Sequence, residues 1–374
     1  MTETAATDTE TGPAVVVRDN GRLALDDVIT RISSPSDILV KVDHSAQNPV
    51  DVKMFDSGSL SAGTQTGLDF SGVVYEIGDA VRDRELVGKR IAGVVKKGHG
   101  SFSDWTLAVD GYYFTVPSNV RPDEASTLGV GCITAVIGLF VKLNMGFLSE
   151  EEEKESESET EPKTSLRKGA CRGKAPIILV WGGNTSVGRY AIQMASLAGY
   201  DVITTSSMSP AKELRSLGAK RTYFYQEADV INQIRDENGE IELIFDCIGS
   251  KETEEQCIEA AGAGKTQYTT VRASCTGEGF PSNVSVSSIN AFDIYNTTSP
   301  ESEVCKEYSS KVSEWLLEGK LVPNVTLILG GLDQVAEGFQ LYRDGILAGQ
   351  KLVYENDRTR KSQVGKVLGT QEGA

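Results

Sequence analysis

Gly183, Thr185 and Gly188 are spaced as a G-x-T-x-x-G turn, and the chemistry open to such a turn is the binding of phosphate. The context decides how far that goes. Ahead of the turn, Ile177 to Trp181 is a short apolar run, the make-up of a fully buried parallel strand. Beyond it Val187, Tyr190, Ala191, Met194, Leu197 and Ala198 recur at helical spacing; Gly199 ends the helix and Val202 to Thr205 form a second strand. Strand, Gly-rich turn, helix and strand make the unit that holds a dinucleotide, its pyrophosphate against the helix N-terminus. Thr185 stands where a Gly normally lets backbone approach phosphate. A purely structural glycine turn is the alternative.

The end of the second strand bears on which dinucleotide. An NAD site wants Asp or Glu there, to accept from the ribose 2′-hydroxyl. This chain has Thr205, Ser206 and Ser207 instead. Hydroxyl donors without a carboxylate suit a 2′-phosphate, so NADPH is expected over NADH. Lys212, Arg215 and Tyr225 could add charge or a hydroxyl, though each reads equally well as a solvated surface residue.

Composition excludes several classes. At 374 residues the chain is long enough for two domains with their own cores. A net charge of −16 argues against nucleic acid or an anionic membrane as partner. Part of that charge is local, with eight Glu and one Lys from Glu150 to Glu161. No apolar stretch is long enough to span a bilayer. The first residues, MTETAATDTETGP, have neither the basic start nor the apolar core of a secretory signal. Six Cys without CxxC spacing then read as reduced thiols of a cytoplasmic protein.

In chain order, residues 1–12 are expected to be disordered. From Val15 to Ala108, short alternating runs broken by Gly, Pro, Asp and Asn read as a β-rich domain, a small irregular barrel. Ser126 to Asn144 is apolar at helical spacing. The acidic-then-basic run at 149–174 is expected to be a mobile surface loop, an acidic docking patch being the alternative. After the dinucleotide unit, strands and helices alternate to Val271, as expected of a doubly wound domain of six strands. Ser274 to Ser302 resists assignment. Glu303 to Glu318 is an amphipathic helix, VTLILGG, DQVAEGFQLYRDG and KLVYE read strand, helix, strand, and residues 356–374 are expected to fray.

This plan resembles the medium-chain dehydrogenase/reductase superfamily. QNPVDVKM (Gln47 to Met54), GLDFSGVVYEIG, GCITAVIGL around Thr134, LGA at Leu217 to Ala219, DCIG at Asp246 to Gly249 and GQKLVYE all fit its motifs. The resemblance implies an α/β protein: a GroES-like β-rich catalytic domain (13–134 and 290–355) plus a doubly wound Rossmann NADPH-binding domain (135–289). Zinc members carry ligands at the positions held here by Asn48, Leu68 and Val130. None of the three is a ligand for zinc, and with only His44 and His99 available no zinc site is expected.

Within the zinc-free branch, the chain resembles the fungal enoyl reductases of the lovastatin type that act in trans on polyketide synthases. The shared details are the Gly-Gly-x-Thr turn, the run Asn48 to Met54, and the pattern from Gly330 to Val353. This implies hydride transfer from NADPH to the β-carbon of an enoyl thioester on a carrier protein, then protonation at the α-carbon. It implies catalytic roles for Lys53 and Thr134. It implies cofactor contacts from Asn48, Pro49, Gly183, Asn184, Thr185, Ser186, Val187, Ser206, Ser207, Tyr225, Cys247, Ile248, Lys351, Leu352 and Val353, and a substrate pocket at Phe292 and Tyr295. Read without the resemblance, Lys53 is a surface lysine paired with Asp51 or Asp56, Thr134 caps or packs its helix, and Asp69 fixes loops. The expected partner is a polyketide synthase, with no nucleic acid, no membrane and a monomer or homodimer. The alternatives are a stand-alone quinone or enone reductase and a non-redox NADPH-binding isomerase or cyclase.

Overall fold

The computed structural model describes residues 9–148, 175–347, 349–359 and 361–369. The alternating runs of the first third form β1 (Glu10–Val17), β2 (Leu23–Thr30), β3 (Asp37–Ala46), β4 (Asp69–Ile77), β5 (Arg90–Val94), β6 (Trp105–Val109) and β7 (Tyr113–Thr115). The middle third supplies β8 (Ile177–Trp181), β9 (Asp201–Ser206), β10 (Ala219–Phe224), β11 (Leu243–Asp246), β12 (Thr266–Thr270) and β13 (Val284–Ser288). Two more strands, β14 (Thr326–Gly330) and β15 (Lys351–Glu355), come near the end. The chain divides into two units: Met1–Val130 with Lys306–Ala374, and Gly131–Cys305.

The first unit holds a seven-stranded sheet in the order β14-β15-β3-β4-β5-β7, with β6 paired to β3, and the separate antiparallel pair β1-β2. Two registers in it matter. Val353 on β15 stands opposite Ala46 on β3, and Ala46 stands opposite Asp69 on β4. Two consecutive strands and one from roughly 300 residues later therefore bring their ends together where β3 turns into the helix Pro49–Asp56. Asn48 is that helix's N-cap, Pro49 fills a first-turn position that needs no N–H donor, and Asp51 Oδ2 accepts from Asn48 N at 2.7 Å. Val52 then packs with Val15, Leu25, Phe102, Phe339 and Tyr354 in one apolar cluster.

The second unit is a parallel six-stranded sheet in the order β10-β9-β8-β11-β12-β13. Strand order reverses at β8, and ligands of such sheets bind beyond the strand ends at that reversal. β8 is apolar throughout because both its faces are buried: Leu179 and Trp181 join Ile203, Tyr223, Ile244 and Tyr268 in one cluster, and Ile178 and Val180 on the other face are fully buried. The helix Ser186–Leu197 follows directly.

Several expectations need correction. The sixth strand is β13, inside the stretch that resisted assignment; its sequence, VSVSS, is too polar to announce itself, and it pairs in parallel with β12. The expected helix over Ser126 to Asn144 runs from Gly129 to Lys142, α-helical over Gly129–Val136 and π-helical over Ile137–Lys142, and a separate short helix, Pro122–Ala125, precedes it. Residues 10–12, expected to be disordered, belong to β1, where Glu10 pairs with Thr30; residues 1–8 lie outside the described residues. The described part of the tail is not frayed: Gly365 N donates to Leu25 O, Leu368 N donates to Leu23 O at 2.8 Å, and Leu368 is buried. Burying a leucine contributes about 1.5–3 kcal/mol, enough to hold so short a segment down. The units divide at Val130 and at Cys305, whereas divisions at 134 and 290 were expected, so Phe292 and Tyr295 fall in the second unit. The loop at 149–174 lies outside the described residues.

Candidate active site

The turn after β8 is built by its own small residues. Gly182 takes a positive φ of 83° that side chains rarely adopt, and it donates to Thr205 Oγ1 at 3.0 Å. Gly183 N donates to Thr205 O at 2.9 Å. A methyl group on Gly188 would collide with Gly182 O, so the helix approaches the turn as closely as only glycine permits. Thr185 is the N-cap of the helix: its Oγ1 accepts from Gly188 N at 2.9 Å. The hydroxyl thus satisfies a donor that a glycine there would leave open, which explains the threonine at this position. The N–H groups of Asn184 and Val187 take no backbone acceptor among the described residues. Open donors at a helix N-terminus, on the reversal point of a parallel sheet, fit the phosphates of a dinucleotide.

Hydroxyls at the end of β9 are partly spent within the fold. Thr204 Oγ1 donates to Val180 O, Thr205 Oγ1 serves Gly182, and Ser206 Oγ donates to Ser207 O at 2.7 Å. Ser207 is half-buried and Tyr225 exposed, its N donating to Ser206 O. Lys212 and Arg215 are exposed on the helix Ala211–Ser216. Cys247 follows β11, buried, and burial pushes its thiol well up. Ile248 is exposed, and a methyl on Gly182 would meet it, so its side chain covers the turn.

Sequence reasoning missed Arg189. It is 4 % exposed, one helical turn beyond Thr185, and its guanidinium donates to Asn184 Oδ1 at 3.3 Å and to Glu213 Oε1 at 2.5 Å. The signal was available: a single cation, next to Tyr190, inside a helix otherwise lined by apolar and small residues.

In the first unit the ends of β15, β3 and β4 gather a buried polar cluster. Lys351 Nζ donates to Asn48 Oδ1 and lies 3.4 Å from Asp69 Oδ2. Asp69 Oδ1 accepts from Val130 N at 2.7 Å. Beside them, Tyr354 donates to Gln47 Oε1 at 2.6 Å and Gln47 Nε2 donates to Gly338 O at 3.0 Å. Burial pushes the carboxyl of Asp51 up to about 7 and raises that of Asp69 above the ordinary carboxylate range, while Lys351 and the N–H of Val130 pull Asp69 back down. Asn48 and Val130, two of the positions that carry zinc ligands in zinc members, thus belong to a cluster whose cation is an ammonium. Leu352 and Val353 are buried on β15.

Lys53 is exposed, with no ion pair among the described residues. Neither acid expected as its bland partner is available. Asp51 caps Asn48, and Asp56 is held by Arg343 through Nε at 3.1 Å and Nη2 at 2.5 Å. Thr134 is buried in the helix Gly129–Val136, its hydroxyl without a hydrogen-bond partner among the described residues, so it does not serve as a cap. Phe292 and Tyr295 stack at 6.2 Å between ring centroids, within the single 3-10 turn Ala291–Tyr295. The five described cysteines are buried and unbridged.

Comparison with known proteins gives these features a setting. Residues 34–119 match the alcohol dehydrogenase GroES-like domain and residues 186–283 match the zinc-binding dehydrogenase family. A trans-enoyl reductase of Alternaria alternata is 28 % identical over 361 residues, covering 92 % of this chain and 98 % of the relative. One from Aspergillus niger is 29 % identical over 367 residues, covering 91 % and 96 %. Among solved structures, the quinone oxidoreductase of Coxiella burnetii superposes with a TM-score of 0.69 at 20 % identity, covering 94 % of this chain and all of that one. The JamJ enoyl reductase superposes with a TM-score of 0.70 at 15 % identity, covering 93 % of this chain and all of that one. The chain is an oxidoreductase of the medium-chain dehydrogenase/reductase superfamily, similar over most of its length to fungal trans-enoyl reductases.

Proposed function

We propose that this chain is an NADPH-dependent enoyl reductase acting in trans on an α,β-unsaturated thioester carried by a polyketide synthase, in fungal secondary metabolism. The observation that carries the reading is the likeness to fungal trans-enoyl reductases along nearly the whole length of both chains. The local geometry supplies roles. In the second unit, the Thr185-capped turn with Gly183, Asn184, Ser186 and Val187 holds the pyrophosphate, and Ser206, Ser207 and Tyr225 border the 2′-phosphate. Cys247 and Ile248, at the end of β11, border the same turn. Thr134 keeps a free hydroxyl for the nicotinamide, and Phe292 with Tyr295 form an aromatic wall of the acyl pocket. In the first unit, Asn48, Pro49 and Lys351 to Val353 are the proposed cofactor contacts, Asn48 and Lys351 being fixed by the buried cluster with Asp69.

When bound, NADPH supplies the hydride that the β-carbon of the enoyl thioester receives. Charge then develops on the thioester oxygen, and catalysis depends on a group placed to meet it. Lys53 is that group: its ammonium is kept unpaired because Arg343 occupies Asp56 and the Asn48 backbone occupies Asp51. The same ammonium can return a proton to the α-carbon.

The test is loss of reduced-nicotinamide absorbance with NADPH or NADH, offered a crotonyl thioester, a carrier-bound enoyl chain and a quinone. Thioester-dependent oxidation of NADPH, much slower with NADH, is expected. Turnover of the quinone alone would replace this reading by a stand-alone quinone reductase. Binding of NADPH with no consumption on any substrate would leave the isomerase or cyclase.

A further inference from the structure

The Arg189–Glu213 pair has no part in the roles above, and its position suggests one. Arg189 sits on the first turns of the helix that receives the pyrophosphate, four residues after its cap. Its stem is buried, so the guanidinium is held in place, with one nitrogen on Asn184 of the phosphate turn. The other nitrogen meets Glu213 Oε1 at 2.5 Å. Glu213 belongs to the helix Ala211–Ser216, which leaves the end of β9 after only four residues, 207–210. The cation therefore lies between the phosphate turn and the segment following the second strand. In a βαβ dinucleotide site that is the side on which the adenine ribose and its 2′ substituent are read.

The partner makes the case sharper. The Glu213 side chain is 47 % exposed, and Arg189 is the only group its carboxylate pairs with among the described residues. A buried guanidinium must keep an anionic partner, whereas a half-exposed carboxylate can move into water at little cost. The end of β9 offers no acid to a 2′-hydroxyl; Thr205 is fully buried and Ser206 Oγ already donates to Ser207 O, so at most neutral donors would meet a dianion there. We infer that Arg189 is the residue that reads the cofactor's 2′-phosphate and that Glu213 is its built-in stand-in, a carboxylate that the phosphate displaces. This rests on the NADPH reading and deepens it: NADPH preference would come from a charge exchange rather than from the serines. Exchanging a monodentate carboxylate for a phosphate gives the guanidinium a more highly charged acceptor in the same position.

The experiment uses the whole chain and binding alone, with 2′,5′-ADP and 5′-AMP as probes in calorimetry, so that no assumption about the reaction enters. The wild type is expected to bind 2′,5′-ADP more tightly. Arg189→Met should lose roughly 10- to 100-fold for 2′,5′-ADP, the worth of a charge-assisted hydrogen bond, with 5′-AMP unchanged. Arg189→Lys should recover part of the loss. Glu213→Gln, which leaves the guanidinium a neutral acceptor but no competing charge, should tighten 2′,5′-ADP roughly 2- to 5-fold, again sparing 5′-AMP. If the wild type does not distinguish the probes, the NADPH reading and this inference fall together. If it does, but R189M and E213Q shift both probes alike, the pair is a structural staple and only this inference is overturned. Should R189M not fold, E213Q decides: no gain selective for 2′,5′-ADP overturns it.

Discussion

Lys351 donates a buried hydrogen bond to Asn48, 303 positions earlier in the chain, and the same ammonium stands 3.4 Å from Asp69 Oδ2. All three side chains are buried. Removing the cation leaves a buried carboxylate without its partner, a loss that typically costs about 3–5 kcal/mol. Lys351→Met is therefore expected to lower the urea midpoint strongly, and adding Asp69→Asn to it should restore much of the difference. A double variant no more stable than K351M would show that the pair does not neutralise itself as described.

Asp51 provides a pH signature. Burial holds its folded carboxyl up at about 7, against an ordinary value of 3.8. The unfolded chain releases this proton from about pH 4 while the folded chain keeps it, so stability from this group is full below that point and falls as pH rises to about 7. The slope reaches at most about 1.4 kcal/mol per pH unit. Asp51→Asn cannot ionise, so the stability difference between variant and wild type should grow in the variant's favour from pH 4 to 7 and then level off. A pH-independent difference in denaturant melts at pH 4, 5.5, 7 and 8 would contradict it.

The cap at Thr185 separates folding from binding. Thr185→Ala loses the bond to Gly188 N and is expected to cost about 1 kcal/mol, while Thr185→Ser keeps it and stays near the wild type. Gly188→Ala, whose methyl would strike Gly182 O, should abolish nucleotide binding even where the variant remains folded. Thermal melts with and without 2′,5′-ADP read both effects; ligand stabilisation retained in G188A would refute the close-approach argument.

Lys53 and Arg343 are linked through Asp56. Lys53 is exposed and has no ion pair among the described residues, so Lys53→Met should leave the melting temperature within about 1 °C while lowering kcat/KM for the enoyl thioester roughly 10- to 100-fold. Arg343→Ala frees Asp56, three residues along the same helix from Lys53, to pair with it. Activity should fall in R343A and return in R343A with Asp56→Asn. Steady-state kinetics on the three variants decide; full activity in K53M would remove Lys53 from the mechanism.

What could be read from sequence alone was whatever local pattern dictates. The apolar run Ile177 to Trp181, the glycine-spaced turn and the helical period after it specify strand, turn and helix through backbone sterics and burial, and the structure has all three. Polar β13 was not legible, because its place at the sheet edge comes from pairing with β12 and not from its own residues. Nor was the anchoring of the tail, which depends on carbonyls of β2 some 340 residues away. The bland pairing of Lys53 with Asp51 or Asp56 does not form, because Asp51 is taken locally by the Asn48 N–H and Asp56 by the distant Arg343. Charges in particular needed the fold. Whether Arg189, Lys351, Asp51 and Asp69 are solvated or buried, and which faces which, is set by strand register and helix packing, and in low dielectric that decides their chemistry.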